Sequence, residues 1–205
     1  MDINFDFATL VTVLLCLVVS ITLHEMMHAY AGLKLGDTTA HDQGRISLNP
    51  LRHIDPFATV LLPIITLVLF HAPILAAKPV PFNPDRLKYD EFGAAILAAA
   101  GPFTNLALAV LGGALAHVFA GNADIFNILT IFVFLNVGLF VFNMVPIPPL
   151  DGSRILYAFA PDGVRDFMAQ IEQFGIFIVF GLVLMVPAFG QMLFNIMESI
   201  SKILL

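Results

Sequence analysis

The segment SITLHEMMHAYAG, residues 20–32, combines two histidines and a glutamate at a spacing typical of a metal site. His24 and His28 are four residues apart, which on a helix places both imidazoles on one face, one turn apart. Glu25 follows the first histidine and can reach the same site without being a ligand. In this HExxH arrangement two neutral imidazoles hold zinc, and the glutamate accepts a proton from the water that attacks a carbonyl. The segment therefore predicts a zinc site with hydrolytic chemistry.

The helix that would carry this motif is apolar. Residues 8–23, directly before His24, contain no charged side chain. An unpaired glutamate beside such a run is costly to bury, so ionisable groups there are expected to serve a function. This context favours the metal site over a chance match on a solvated helix.

A catalytic zinc usually takes three protein ligands and leaves one position for water. The longer pattern HExxHxxGxxH cannot supply the third, because Ala31 and Lys34 occupy the later positions. Asp42 and Asp55 lie in polar or turn-rich surroundings, and nothing in those surroundings favours either as the third ligand. The better candidate is Asp151, which we predict to be the third ligand; an aspartate that only caps a loop is the alternative.

The surroundings of Asp151 support this choice. In FNMVPIPPLDGSR, residues 142–154, a charge-free helix runs into three prolines and the acid follows directly. Prolines end a helix, and we expect them to hold the chain extended. Gly152 would then permit a tight turn.

The composition indicates an integral membrane protein. Of the 205 residues, 59% are hydrophobic and only 12% are charged, about half of the usual charged fraction. Mean hydropathy is +0.93. No basic run suggests a nucleic-acid partner, and the lone Cys16 excludes a disulfide within the chain. Five windows are long and apolar enough to cross a bilayer: 7–30, 58–77, 93–120, 125–145 and 174–189. We expect one domain over residues 1–205, in contact with the lipid bilayer.

Three motifs together resemble the site-2 protease family of intramembrane zinc metalloproteases: HEMMH at 24–28, AGPFTN at 100–105 and NMVPIPPLDG at 143–152. The stretches GRISLNPLRHIDP and AKPVPFNP resemble the compact branch of that family, which lacks a PDZ domain. The resemblance implies zinc held by His24, His28 and Asp151, with Glu25 as general base. It also implies a membrane protein or peptide as substrate.

Two asparagines complete the implied catalytic set. Asn143 matches the family asparagine that holds the substrate backbone or the oxyanion, and Asn105 matches the asparagine of the GPxxN motif, whose role is less settled. Many members of the family read DGG where this chain has Gly152 and Ser153, which is a mild departure.

The chain topology must bring the motifs to one side of the membrane. His24 and His28 lie toward the end of the first apolar helix, and Asp151 follows the helix that begins near Ile125. A full crossing by residues 58–77 would put Asp151 on the opposite side, about one bilayer thickness away. We therefore predict that this segment is re-entrant, which irregular backbone permits when it is buried in protein.

The charges agree with this topology. With residues 58–77 re-entrant, eight of the nine Lys and Arg residues lie on one side, and only Lys202 lies on the other; five full crossings would divide them four to five. The positive-inside rule then places the active site toward the cytoplasm of a multi-pass protein, which we expect in a prokaryotic cell membrane.

The expected fold class is an all-α polytopic membrane protein with four to five transmembrane helices, the re-entrant segment and short membrane-edge β-strands. The strands are predicted at residues 45–50 and 78–84, where an extended substrate could add by main-chain hydrogen bonds; plain connecting loops are the alternative.

A second class of function stays open. A membrane metal-ion transporter or sensor would use the same zinc ligands, but it would need neither Glu25 nor Asn143. The sequence does not specify the oligomeric state.

Overall fold

The computed structural model describes residues 7–53 and 80–205, and helices dominate both ranges. The helices are α1 (Phe7–Leu35), α2 (Thr39–Asp42), α3 (Asp90–Val118), α4 (Ala123–Asn143), α5 (Asp151–Phe159), α6 (Asp162–Glu172), α7 (Gly175–Met185) and α8 (Pro187–Leu204). Short 3-10 turns cover Pro50–Arg52 and Pro84–Arg86. The prediction of a helical membrane protein is confirmed for the described residues.

Three helices are long and apolar enough to cross a membrane: α1 and α3 with 29 residues each, and α4 with 21. They correspond to three of the five predicted windows. A fourth span is possible if α6 and Phe177–Met185 count as one, although the pair is bent by 85°. The protein is therefore a multi-pass membrane protein. The predicted re-entrant segment, 58–77, lies outside the described residues.

The last predicted window, residues 174–189, forms two helices instead of one. α7 has 11 residues and ends at Met185, and α8 begins at Pro187. Proline lacks the N–H that would continue α7. At 1.5 Å per residue α7 is about 16 Å long, well short of a bilayer core of about 30 Å.

Small residues allow α3 to approach its neighbours closely. A Cβ added at Gly112 would lie 3.0 Å from side-chain atoms of Phe132 and Val133 on α4. A Cβ added at Gly113 would lie 2.5 Å from the carbonyl oxygen of Leu204 on α8. Close approach of this kind is the usual basis of helix association in lipid.

A buried carboxylate joins the end of α1 to the chain that leads into α3. Asp37 is 1% exposed, and its carboxylate accepts hydrogen bonds from the backbone N–H groups of Asn83 at 2.7 Å and Thr39 at 3.0 Å. Burial raises the pKa of Asp37, but the hydrogen bond from the Thr39 hydroxyl and these two backbone bonds outweigh that effect, so the pKa is lowered. The backbone N–H of Lys88 donates to the Leu35 carbonyl at 2.8 Å. These contacts fix the two helices relative to each other.

We expect Asp37→Ala to lower the free energy of unfolding by about 2 kcal/mol, because it leaves buried N–H groups without an acceptor. Because the folded-state pKa is lowered, the stabilisation is present above the ordinary carboxyl pKa and is lost as pH falls through the folded value. Thermal unfolding in detergent at neutral and acidic pH measures both effects. Asp42→Ala is the matched control, since Asp42 is exposed. Equal midpoints for the two variants would contradict the prediction.

The predicted membrane-edge strands are not confirmed. No strand is present in residues 45–50 or 80–83, and Lys78 and Pro79 lie outside the described residues. In the first stretch, Ser47 Oγ accepts from the Asn49 N–H at 3.1 Å, and Asn49 Oδ1 accepts from the Leu51 N–H at 3.0 Å. Such local bonds compete with a strand ladder for the backbone.

Candidate active site

The HExxH residues lie on the buried face of α1. His24, Glu25 and His28 are 7%, 8% and 5% exposed. The two Nε2 atoms of the histidines are 3.0 Å apart. The helical spacing therefore brings both imidazoles to one place, as predicted.

Asp151 reaches the histidines from the first turn of α5. The prolines end α4 at Asn143, but residues 144–150 form successive turns and do not hold the chain extended. The interpretation of Gly152 was also wrong, because it lies inside α5. It is needed for close approach, since a Cβ there would lie 2.3 Å from the Met144 carbonyl oxygen. The compact turn directs α5 back toward α1.

The three candidate ligand atoms have spacings close to those of donors around zinc, with the two Nε2 atoms 3.0 Å apart. Asp151 Oδ2 lies 3.3 Å from His24 Nε2 and 3.4 Å from His28 Nε2. Tetrahedral zinc with bonds of about 2.0–2.1 Å separates its donor atoms by about 3.3 Å. Two imidazoles and a carboxylate also form a known catalytic zinc set, with one position left for water. The residues present fit the metal.

Gly101 of α3 leaves space beside these ligand atoms. A Cβ at this position would lie 2.3 Å from His28 Nε2 and 2.6 Å from His24 Nε2. Real Cβ atoms do not approach nitrogen so closely. The glycine of the AGPFTN motif is therefore a spatial requirement of the site.

Hydrogen bonds from α3 orient both imidazoles. His28 Nδ1 lies 2.8 Å from the Leu97 carbonyl oxygen, and His24 Nδ1 lies 2.6 Å from Asn105 Oδ1. Both oxygens can only accept, so both Nδ1 atoms carry the proton. The Nε2 lone pairs then face Asp151, which is the arrangement that metal binding needs. Asn105 thus contacts a candidate ligand, and its catalytic role stays a prediction.

Arg45 is a charged neighbour of Glu25 that the sequence analysis did not identify. It is 3% exposed, and its Nη1 donates to the Arg52 carbonyl oxygen at 2.5 Å. Burial lowers the pKa of Arg45, and the negative charge of Glu25 opposes that effect. Nothing in the sequence of residues 45–50 indicated that Arg45 would be buried and influenced by the charge of Glu25.

Asn143 is the last residue of α4 and is half-buried. One N–H of its side chain donates to the Leu139 carbonyl oxygen at 2.9 Å. Its amide therefore lies at the start of the turn that ends at Asp151.

Two further buried polar residues, Asn136 and Ser20, were missed. Asn136 Oδ1 accepts from Asn105 Nδ2 at 3.0 Å, and Asn136 Nδ2 donates to Ser20 Oγ at 2.9 Å. A signal was available, since Asn136 interrupts the apolar run IFVFLNVGLFVF and polar residues in such runs commonly bond to other helices.

Comparison with known proteins decides the family. The model of peptidase family M50 matches residues 117–186, which include Asn143 and Asp151. The YwhC protein of Bacillus subtilis, named as a candidate zinc metalloprotease, is 41% identical over 184 residues, covering 85% of this chain and 80% of YwhC. This chain belongs to peptidase family M50. The Rip2 protein of Mycolicibacterium smegmatis, also named as a candidate zinc metalloprotease, is 29% identical over 182 residues, covering 86% of this chain and 68% of Rip2. No solved structure matches significantly.

M50 membership confirms the predicted site-2 protease family and the predicted chemistry: the protein is a zinc metalloprotease with several apolar helices. The cluster of His24, His28 and Asp151 is the group in the described part of the chain that could bind the metal.

Proposed function

We propose that this M50 protein is an intramembrane protease that hydrolyses peptide bonds in or near transmembrane segments of membrane proteins. The observation that carries the proposal is the position of the candidate ligands. His24 and His28 lie on an apolar helix of membrane length, and their Nε2 atoms face α3 and α5. A peptide bond must therefore enter between apolar helices to be cut, and its segment must unwind locally.

In the proposed reaction the candidate ligands, Glu25 and Asn143 have separate roles. His24, His28 and Asp151 would hold the zinc ion, which would lower the pKa of a coordinated water to about 7 and polarise the scissile carbonyl. Glu25 accepts a proton from the attacking water and passes it to the leaving amine. Asn143 donates an N–H to the substrate backbone or to the developing oxyanion.

We expect Glu25→Gln to lower the cleavage rate by about 10²- to 10⁴-fold, because glutamine cannot accept the proton. Zinc content should not change, since Glu25 is not a candidate ligand. Cleavage of a transmembrane peptide in vesicles, with zinc measured on the same preparations, tests this. Glu198→Gln, on α8, is the matched control. Normal cleavage by the Glu25 variant would contradict the proposal, and zinc flux that survives the substitution would indicate a transporter.

We also propose that the active site faces the cytoplasm of a prokaryotic cell. Arg165 Nη1 lies 3.4 Å from Glu91 Oε1 at the start of α3. The backbone N–H of Lys88 donates a hydrogen bond to the carbonyl of Leu35 at the end of α1. Leu204, which lies two residues from Lys202, contacts the other half of α3 at Gly113. This distribution supports the charge count, since Arg165 and Lys88 lie at one end of α3 and Lys202 lies near the other. The relatives YwhC and Rip2 are bacterial proteins.

Cysteines at the two ends of α3 test this orientation. Lys88 and Gly121 are exposed, whereas the native Cys16 is buried. In intact cells a membrane-impermeant maleimide should label Gly121→Cys and should not label Lys88→Cys, and both should react after lysis. The reverse pattern would place the active site on the outer side and overturn the proposed orientation.

A further inference from the structure

A chain of buried hydrogen bonds begins at His24 and crosses α1, α3 and α4. His24 Nδ1 meets Asn105 Oδ1 at 2.6 Å, and Asn105 Nδ2 donates to Asn136 Oδ1 at 3.0 Å. Asn136 Nδ2 donates to the Phe132 carbonyl oxygen and to Ser20 Oγ, both at 2.9 Å. Asn105, Asn136 and Ser20 are each 0% exposed, so water does not replace these partners.

The hydrogen bond between Asn136 and the Phe132 carbonyl determines which atom donates in every other bond of the series. A backbone carbonyl can only accept, so the atom of Asn136 that faces Phe132 must be the amide nitrogen. Its oxygen then faces Asn105, which must present its own nitrogen to Asn136 and its oxygen to His24. The Nδ1 atom of His24 must therefore carry the proton, and its Nε2 lone pair is left for a metal.

We propose that Asn136 is a positioning residue for the zinc site, acting through Asn105 to hold His24 in the tautomer that binds metal. This inference rests on the proposed role of His24 as a zinc ligand. Without an acceptor at position 136, the side-chain amide of Asn105 can rotate by about 180°, so that its nitrogen donates to His24 Nδ1. The proton would then move to Nε2, where it blocks metal binding.

Zinc affinity provides the first test. We expect Asn136→Leu to weaken zinc binding by about 10- to 100-fold, the usual effect of losing an outer-shell partner. The affinity is measured in detergent by competition with a chelator. Thr130→Val is the matched control on α4: Thr130 is 3% exposed, and in the described part of the chain its hydroxyl has no hydrogen-bond partner. The control should bind zinc with wild-type affinity.

A rescue experiment separates tautomer control from simple packing. Asn105→Asp supplies a carboxylate that accepts from His24 whichever way it is turned, so it no longer needs Asn136. The double variant Asn105→Asp/Asn136→Leu should therefore bind zinc at least as tightly as Asn105→Asp alone, in which the second carboxylate oxygen would face the Asn136 Oδ1 acceptor. The two should also give the same visible spectrum with Co²⁺ in place of zinc. A double variant that does not fold, or that binds zinc far more weakly than Asn105→Asp, would assign Asn136 a packing role and overturn the proposal.

The outcomes also separate this inference from the proposed function. If Asp151→Ala loses zinc while Asn136→Leu keeps wild-type affinity, the ligand set stands and only the positioning role fails. If Asp151→Ala keeps its zinc, the ligand set itself is wrong.

Discussion

Asp151→Ala is expected to remove zinc from the purified protein and to reduce peptide cleavage to background. In the proposed site the carboxylate is the third donor, 3.3 and 3.4 Å from the two Nε2 atoms, and carries the only negative charge among the three. Two imidazoles alone leave zinc with half of its tetrahedral shell. We therefore expect a larger loss of affinity than the about 10- to 100-fold caused by losing an outer-shell partner.

The measurement is the molar ratio of zinc to protein, wild type against variant, and it requires no knowledge of the substrate. Asp162→Ala is the matched control, because Asp162 also lies in the first turn of a helix but is exposed. It should retain the wild-type ratio. Zinc retained without Asp151 would mean that another residue completes the site, and the topology that brings residue 151 to α1 would lose its support.

Gly101→Ala is expected to have an effect nearly as large. The added methyl group would lie 2.3 and 2.6 Å from the two Nε2 atoms, in the space beside the metal. The histidines sit on a rigid helix and are held from behind by Leu97 and Asn105, so they cannot retreat without breaking those hydrogen bonds. Zinc binding and cleavage should both be lost.

A second glycine on α3 provides the control. In Gly113→Ala the methyl group would lie 2.5 Å from the Leu204 carbonyl oxygen, which is a clash with α8 and not with the histidines. That variant should lose thermal stability but keep its zinc. If Gly101→Ala bound zinc normally, the spatial requirement would be refuted; if Gly113→Ala also lost zinc, general misfolding would explain both results.

Local features of the sequence were enough to predict the helical membrane class and the zinc chemistry. Hydropathy over about 20 residues reports a property of each segment alone, which is why α1, α3 and α4 were predicted. The four-residue spacing of His24 and His28 is likewise a property of one helix. The broken window at 174–189 shows the limit, because a proline ended an apolar run that hydropathy alone would continue.

The sequence by itself determined the histidine pair and the apolar helices, because helix periodicity and hydrophobic length are encoded within short stretches, and it indicated Asp151 as the candidate third donor. The tertiary structure alone decided which distant side chains meet those donors. Asn105 is 81 residues from His24 in the chain and Leu97 is 69 residues from His28, yet the packing of α1 against α3 brings each pair within hydrogen-bond distance. No local pattern specifies such contacts, since each depends on the relative positions of separate elements.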